Sequence, residues 1–148
     1  MSAQNRSVTV TSILIKVALV LCTGALFAMP FAAQMYKQIS IMNDDVTVPL
    51  LITFYSCAAA GFVILFVLDR LVGNIRKGEV FIPQNIKYLR ILSYCCFIIA
   101  VITLIFARFR LLAFIVTFAA AFIGLILRVI KNCFEEAVRL KEENEFTI

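Results

Sequence analysis

Few side chains in this chain have the types and spacing needed for acid–base, nucleophilic or metal chemistry. The 148 residues include no histidine, and the nine acidic residues lie between the apolar runs or beyond them. The five cysteines lack the paired spacing of a zinc site. We therefore predict no catalytic residue, no metal site and no cofactor, and we expect that the chain is not an enzyme.

The composition is instead typical of an integral membrane protein. Hydrophobic residues make up 63% of the chain and charged residues only 16%, which is too little charge to cover a soluble globule. A membrane-spanning helix needs about 20 apolar residues, with about 17 as the lower limit. Four runs meet this requirement, at residues 13–35, 48–68, 91–107 and 111–130. We predict an all-α fold in which residues 1–148 form a single four-helix transmembrane bundle.

The distribution of lysine and arginine predicts how the bundle is oriented. If both termini are cytosolic, eleven of the 14 basic residues lie on the cytosolic side, and only Lys37, Arg108 and Arg110 lie outside. The positive-inside rule thus favours an N-in/C-in protein, with both termini cytosolic. The lipid bilayer is therefore a predicted partner of the protein. The net charge of +5 is interpreted as a topology signal, so direct nucleic-acid binding is not expected.

Small residues and one proline predict details of packing. Three pairs four residues apart allow close helix packing, and would also permit a homo-oligomer: Gly24 with Ala28, Cys57 with Gly61, and Ala120 with Gly124. Pro30 is expected to kink the first helix or to end its regular part. On the outer side, residues 108–110 predict a tight turn, with an ion pair to Asp44 or Asp45 as a further expectation.

The middle cytosolic loop, residues 69–90, contains turn and helix-start signals. Gly78 is typical of a turn, and Pro83 suits the first position of a helix that continues through Arg90 into the third span. Phe81 or Ile82 would pack on the first turn of that helix. Two interpretations stay open. The loop either sets the topology alone, or forms an ordered reversal from which helices 2 to 4 extend into the cytosol.

The cytosolic tail, residues 131–148, closes on the acidic stretch LKEENEFTI. Glu135 and Arg139 are spaced as a favourable pair, so the fourth helix should continue beyond its span. Three glutamates near its end oppose the helix macrodipole, so the helix is expected to fray or end before Ile148. The tail then has three alternatives: it folds back on the basic middle loop, docks on a basic soluble partner, or remains solvated.

These two segments together resemble the domain-of-unknown-function family 2975, whose members are small four-span bacterial membrane proteins. The family's loop reads like G-x-x-F-T-x-E-N, which Gly78, Phe81 and Asn85 match. Ile82 and Gln84 replace the usual threonine and glutamate. The family's tail reads like L-x-E-E-x-x-L-T-I, and it is matched by Leu140, Glu142, Glu143, Thr147 and Ile148, with Phe146 in place of the leucine.

The resemblance implies a place in the bacterial cytoplasmic (inner) membrane and a regulatory role. Members similar to this chain are commonly encoded beside a very small helix-turn-helix DNA-binding protein, which suggests a membrane anchor that holds or releases a cytosolic transcription regulator. The alternative is a small transporter or permeation subunit of unknown substrate. The residues predicted to bind the partner are Gly78, Phe81, Pro83, Asn85, Arg90, Leu140, Glu142, Glu143, Phe146, Thr147 and Ile148.

Overall fold

The computed structural model describes residues 3–39 and 46–147, and these residues form four α-helices. Helix α1 spans Ala3–Ile39, α2 Thr47–Arg76, α3 Pro83–Phe106 and α4 Ala113–Thr147. Each helix contains an apolar stretch long enough to cross a bilayer. The predicted all-α class with four spans is therefore confirmed, and the chain has the character of a multi-pass membrane protein whose helices contact lipid.

All four helices are longer than the predicted apolar runs, although α3 stops at Phe106 and α4 starts at Ala113, so residues 107 and 111–112 of those runs lie in the turn between them. The second helix continues past Leu68 to Arg76, the third begins at Pro83, and the fourth continues past Ile130 to Thr147. These extensions were expected for helices 2 to 4. Helix α1 also begins early, at Ala3, which the apolar run did not predict.

Pro30 lies inside α1 and does not end it. The helix continues from Pro30 to Ile39, so of the two expectations for this proline, the end of the regular part is not found. A proline is tolerated in a membrane helix where neighbouring groups satisfy the freed carbonyl. The carbonyl that Pro30 leaves without a helical donor is that of Leu26, four residues earlier. The Tyr55 hydroxyl of α2 donates a hydrogen bond to this carbonyl at 3.2 Å.

The helices pack against one another in chain order. Helix α3 packs closely on both α2 and α4, whereas α1 packs on α2. Within the described residues, the backbone of α1 does not come close to that of α3 or α4. The third helix is thus the centre of the fold. We call the end of the molecule that holds residues 77–82 the loop end, and the end that holds residues 107–112 the far end.

The main hydrophobic cluster lies toward the loop end, between α2 and α3. Val67 and Leu71 of α2 pack against Leu89 and Leu92 of α3, and all four side chains are buried. Leu127 and Phe134 of α4 cover the same cluster. Burying an aliphatic side chain of this size stabilises a fold by about 1.5–3 kcal/mol when the side chain would otherwise contact water. Toward the loop end this cluster joins three helices.

Close contact between α3 and α4 depends on Ser93 and Gly124. The hydroxyl of Ser93, which is fully buried, donates a hydrogen bond to the Gly124 carbonyl at 3.0 Å. A Cβ on Gly124 would lie 3.2 Å from the ring of Phe97. The small-residue packing predicted for this glycine is therefore confirmed. A Cβ on Gly24 or Gly61 would meet no atom within 4 Å, so these two glycines are not needed for close packing within the chain.

The far end is closed by the predicted turn between α3 and α4. The Phe109 amide donates to the Phe106 carbonyl at 2.9 Å, and the Ala113 amide to the Arg110 carbonyl at 3.0 Å. Thr103 and Thr117, whose hydroxyls lie 2.9 Å apart, connect the same two helices nearby. The ion pair expected with Asp44 or Asp45 involves residues outside the described ranges.

We expect Gly124→Val to destabilise the protein. The added side chain enters the space taken by the Phe97 ring, and such overpacking typically costs about 1–3 kcal/mol. The measurement is the unfolding midpoint of the purified protein in detergent. Gly24→Val is the matched control, because its Cβ meets no neighbour. Equal midpoints for the two variants would show that the close approach of α3 and α4 at Gly124 is not required.

Candidate functional site

The loop between α2 and α3 is an ordered reversal, and Gly78 is the residue that allows it. Gly78 has a φ of +82°, in the left-handed region where a side chain is disfavoured. Its amide donates to the Ile75 carbonyl at 3.0 Å, and the Glu79 amide donates to the Asn74 carbonyl at 3.0 Å. These bonds satisfy the last carbonyls of α2, as a helix C-terminus requires.

Asn85 fixes the loop from within. Its side chain is fully buried, at 0% exposure, and forms three hydrogen bonds. The Asn85 amide nitrogen donates to the carbonyls of Glu79 and Val80, at 2.9 and 2.7 Å. Its oxygen accepts a hydrogen bond of 2.8 Å from the side chain of Asn74, on α2. One side chain therefore joins the end of α2, the loop and the first turn of α3.

Helix α3 begins without a side-chain cap, and its start is set by the backbone conformation of Ile82 and Pro83. Pro83 occupies the first turn, and the preceding Ile82 is extended, with φ −121° and ψ 149°. Ile82 provides no capping hydrogen bond, as expected of the residue that replaces the family's threonine. The missing amide of Pro83 removes one of the donors that a cap would have satisfied.

Phe81 connects the loop to α4. Its ring meets Phe134 edge to face, with the ring centroids 5.3 Å apart and the planes at 62°. Aromatic pairs in this arrangement contribute about 0.5–1.5 kcal/mol beyond the area they bury. Phe81 nevertheless remains 45% exposed, so one side of the ring is available at the loop end.

A carboxylate shared by two cations joins α3 to α4 beside the loop. Glu135 accepts hydrogen bonds from Lys131 at 3.0 Å and from Arg90 at 3.3 Å. Lys131 is almost wholly buried, whereas Arg90 and Glu135 are partly exposed. Glu135 lies beyond the apolar run that ends at Ile130. The hydrogen bond from Lys131, reinforced by Arg90, holds the pKa of the Glu135 carboxyl below its usual value.

The predicted tail residues lie on a straight continuation of α4. Val138 is still buried, but every residue from Arg139 to Phe146 is exposed. Arg139 pairs with Glu136 and, at 3.9 Å, with Glu143. The expected pair between Arg139 and Glu135 is not formed, because Glu135 is used by Lys131 and Arg90. The helix continues to Thr147, and Ile148, before which it was expected to fray or end, lies outside the described residues.

The predicted site residues thus fall into two groups. Gly78, Phe81, Pro83, Asn85 and Arg90 come together at the loop end. Leu140, Glu142, Glu143, Phe146 and Thr147 follow along α4, and Ile148 lies outside the described residues. From Phe134 to Phe146 the helix rises about 18 Å, so the tail leads away from the loop. The fold-back of the tail on the loop is therefore not what the described residues show.

The sequence analysis did not predict the contacts made by four residues: Asn74, Ser93, Lys131 and Phe134. Lys131 and Glu135 carry a usable signal, since they are four residues apart on one helix. Asn74 beside Gly73 is typical of a helix end, but nothing in the sequence shows that Asn85 is its partner. Ser93 and Phe134 depend on contacts with other helices.

A cavity of about 450 Å³ lies at the far end and is lined by residues of all four helices. Most of its lining side chains are apolar, including Met29, Leu50 and Phe106. The guanidinium of Arg110 stacks over the ring of Tyr36 there, 5.6 Å from its centroid. The cavity is separated from the loop end by the length of the helices, so it is not part of the same site.

Comparison with known proteins supports the resemblance seen in the loop and the tail. A family model described as "Protein of unknown function (DUF2975)" matches residues 31–148. The match covers the end of α1 and all of α2, α3 and α4, and so includes both groups of predicted site residues. No curated protein and no solved structure matches the chain.

We expect Asn85→Ala to open the loop. The change removes three buried hydrogen bonds, which should ease local opening by about 2–4 kcal/mol. The measurement is the rate of trypsin cleavage after Lys77, which is exposed in the loop. Gln84→Ala is the control, because Gln84 is exposed on the same turn. If both variants resist trypsin as well as the wild type does, Asn85 does not hold the loop.

We expect Glu135→Gln to destabilise the protein at neutral pH, because it leaves the buried Lys131 without its carboxylate. A carboxyl with a lowered pKa contributes stability that is full above its ordinary pKa and is lost as the pH falls through the lowered value. The stability gap between wild type and Glu135→Gln should therefore close on acidification from about pH 7 to about pH 3. Unfolding midpoints across this range provide the test.

Glu136→Gln is the control for acidification, since the Glu136–Arg139 pair is exposed at the surface. Its midpoint should stay close to that of the wild type throughout. A gap for Glu135→Gln that is constant with pH would contradict the role assigned to the carboxylate.

Proposed function

The chain belongs to the DUF2975 family, and from that premise we propose that it is a non-enzymatic membrane anchor for a small, basic helix-turn-helix transcription regulator. The loop end and both termini face the cytosol in this proposal, and the membrane is the bacterial inner membrane. The charge distribution supports that orientation, because eleven of the 14 basic residues lie in the segments assigned to the cytosolic side.

The observation that carries the proposal is the exposed end of α4. Burial stops after Val138, and residues 139–146 are all exposed although they remain helical. Leu140 is 51% exposed and Phe146 is 91% exposed. An ordered helix that presents apolar side chains in this way is suited to binding a groove or a helix on another protein.

The charge of this helix end determines which partners it suits. Residues 140–148 contain one lysine and three glutamates, which gives a net charge of −2. A DNA-binding protein carries a basic surface for phosphates, and an acidic helix is complementary to such a surface. Binding to the helix would then compete with binding to DNA, so the anchor would hold the regulator inactive until it is released.

The loop end would stabilise the presented helix instead of forming a second contact of equal weight. Phe81 packs on Phe134, and Arg90 with Lys131 holds Glu135, so α4 is fixed immediately before its exposed part begins. A rigid helix loses less conformational entropy on binding than a disordered tail does. The transport alternative has less support, since the cavity at the far end is lined mainly by apolar side chains.

We expect the full-length protein to retain a small DNA-binding protein in a pull-down from native membranes, and a version that ends at Arg139 to lose it. The truncation removes the exposed segment and leaves the buried Val138 in place. Partners would be identified by mass spectrometry. Because the proposed contact is partly electrostatic, added salt should weaken it.

Two further variants separate the contributions to binding. The triple change Glu142→Gln, Glu143→Gln and Glu145→Gln removes the charge but keeps the helix, and Phe146→Ser removes the apolar contact alone. Asn85→Ala controls for an effect of the loop. If full-length protein and truncation retain the same proteins, or if neither retains a DNA-binding protein, the proposed function is wrong.

A further inference from the structure

Three cations of α3 and α4 form a cluster near the loop end. Arg128 of α4 stacks on Tyr94 of α3, with its guanidinium carbon 5.2 Å from the ring centroid. One turn before Tyr94, Arg90 bonds to Glu135, and so does Lys131. These residues lie where the apolar runs 91–107 and 111–130 begin and end, which is the level of lipid headgroups for helices that span a membrane.

The cluster contains more positive charge than its own carboxylate neutralises. Arg90 and Lys131 share Glu135, and Arg128 stacks on the neighbouring Tyr94, so the three cations and one carboxylate have a net charge of +2.

An apolar groove begins at the same tyrosine. It has a volume of about 390 Å³ and is lined by Tyr94, Phe97, Ile98, Val101 and Ile102 of α3. From Tyr94 to Ile102 the helix rises about 12 Å, so the groove runs along the direction in which a lipid chain lies in a bilayer. Its position depends on the α3–α4 contact, because the Phe97 ring packs over Gly124.

We propose that this surface is a binding site for one anionic glycerophospholipid of the leaflet at the loop end. The headgroup phosphate lies against Arg90 and Arg128, with Lys131 adding to the positive field, and one acyl chain occupies the groove from Tyr94 to Ile102. Basic pockets between membrane helices recognise anionic headgroups in this way. A zwitterionic lipid has the same acyl chains but no net negative charge. The surplus of cations at this surface therefore favours the anionic lipid over the zwitterionic one.

This inference is independent of the proposed regulator. It uses side chains of α3 and α4 at the level of the bilayer, whereas the regulator contact uses the exposed residues beyond Val138. Truncation at Arg139 should therefore leave lipid binding unchanged, and the variants described next should leave the tail intact.

The test is lipid binding to the full-length protein after lipid removal in detergent, followed by native mass spectrometry. The probes are phosphatidylglycerol and phosphatidylcholine with identical acyl chains. We expect phosphatidylglycerol to bind more tightly. Arg128→Gln should weaken its binding about fivefold, the effect expected for one basic residue near an anionic headgroup, and should change phosphatidylcholine binding little. Arg128→Lys keeps the charge and should retain most of the preference.

Arg70→Gln is the matched control, because Arg70 also stacks on an aromatic ring, 5.1 Å from the centroid of Phe66, but on α2. It should leave the preference intact. Ile98→Trp fills the groove and should weaken the binding of both lipids. Unfolding midpoints confirm that each variant is folded.

Three results would overturn the proposal. Equal binding of the two lipids would remove the anionic preference, and an equal effect of Arg70→Gln would show that any surface cation contributes as much. Displacement of phosphatidylglycerol by an equal concentration of glycerol phosphate would show that the headgroup alone binds and that the groove holds no chain.

Discussion

In hydrocarbon, a backbone amide or carbonyl without a partner costs several kcal/mol, so each helix of a membrane protein must satisfy its own backbone groups. This requirement restricts the places where the chain can reverse direction. It explains why α2, α3 and α4 run past their apolar stretches toward the loop end, so that the turn between α2 and α3 lies beyond those stretches. At the loop end, where residues 77–79 and Phe81 are exposed, the side chain of Asn85 is fully buried. It donates to the carbonyls of Glu79 and Val80 and accepts a hydrogen bond from Asn74.

Helix α3 lies at the centre of the fold, in contact with both α2 and α4. Its first turn carries Asn85, its middle carries Ser93 and Phe97 against Gly124, and its last turns carry Thr103 against Thr117. The contacts to α4 are thus short-range and polar at two levels, with close van der Waals packing between them. Interhelical hydrogen bonds and small residues are the means by which membrane helices associate when lipid surrounds them. The result is a pair of helices that holds its geometry, with α2 added to one side.

The class of fold was readable from the sequence because it depends on the length of apolar runs, which is a local property. The turn at Gly78 and the start of α3 at Pro83 were readable for the same reason, since each residue restricts its own backbone. The hydrogen-bond partners of the side chains could not be predicted from the sequence. Glu135 is equally spaced from Lys131 and Arg139, and the choice between them is made by Arg90 on another helix. Likewise, the sequence of α4 alone does not show that the loop and α3 contact this helix at Phe134 and Glu135.

One further consequence concerns the first helix. Its close backbone contacts are with α2 alone, and the family match begins at residue 31, near its end. Apart from the cavity at the far end, which residues of all four helices line, the surface of α1 that does not face α2 is left to the surrounding lipid. A change on that surface therefore leaves the contacts of α3 with α2 and α4 in place.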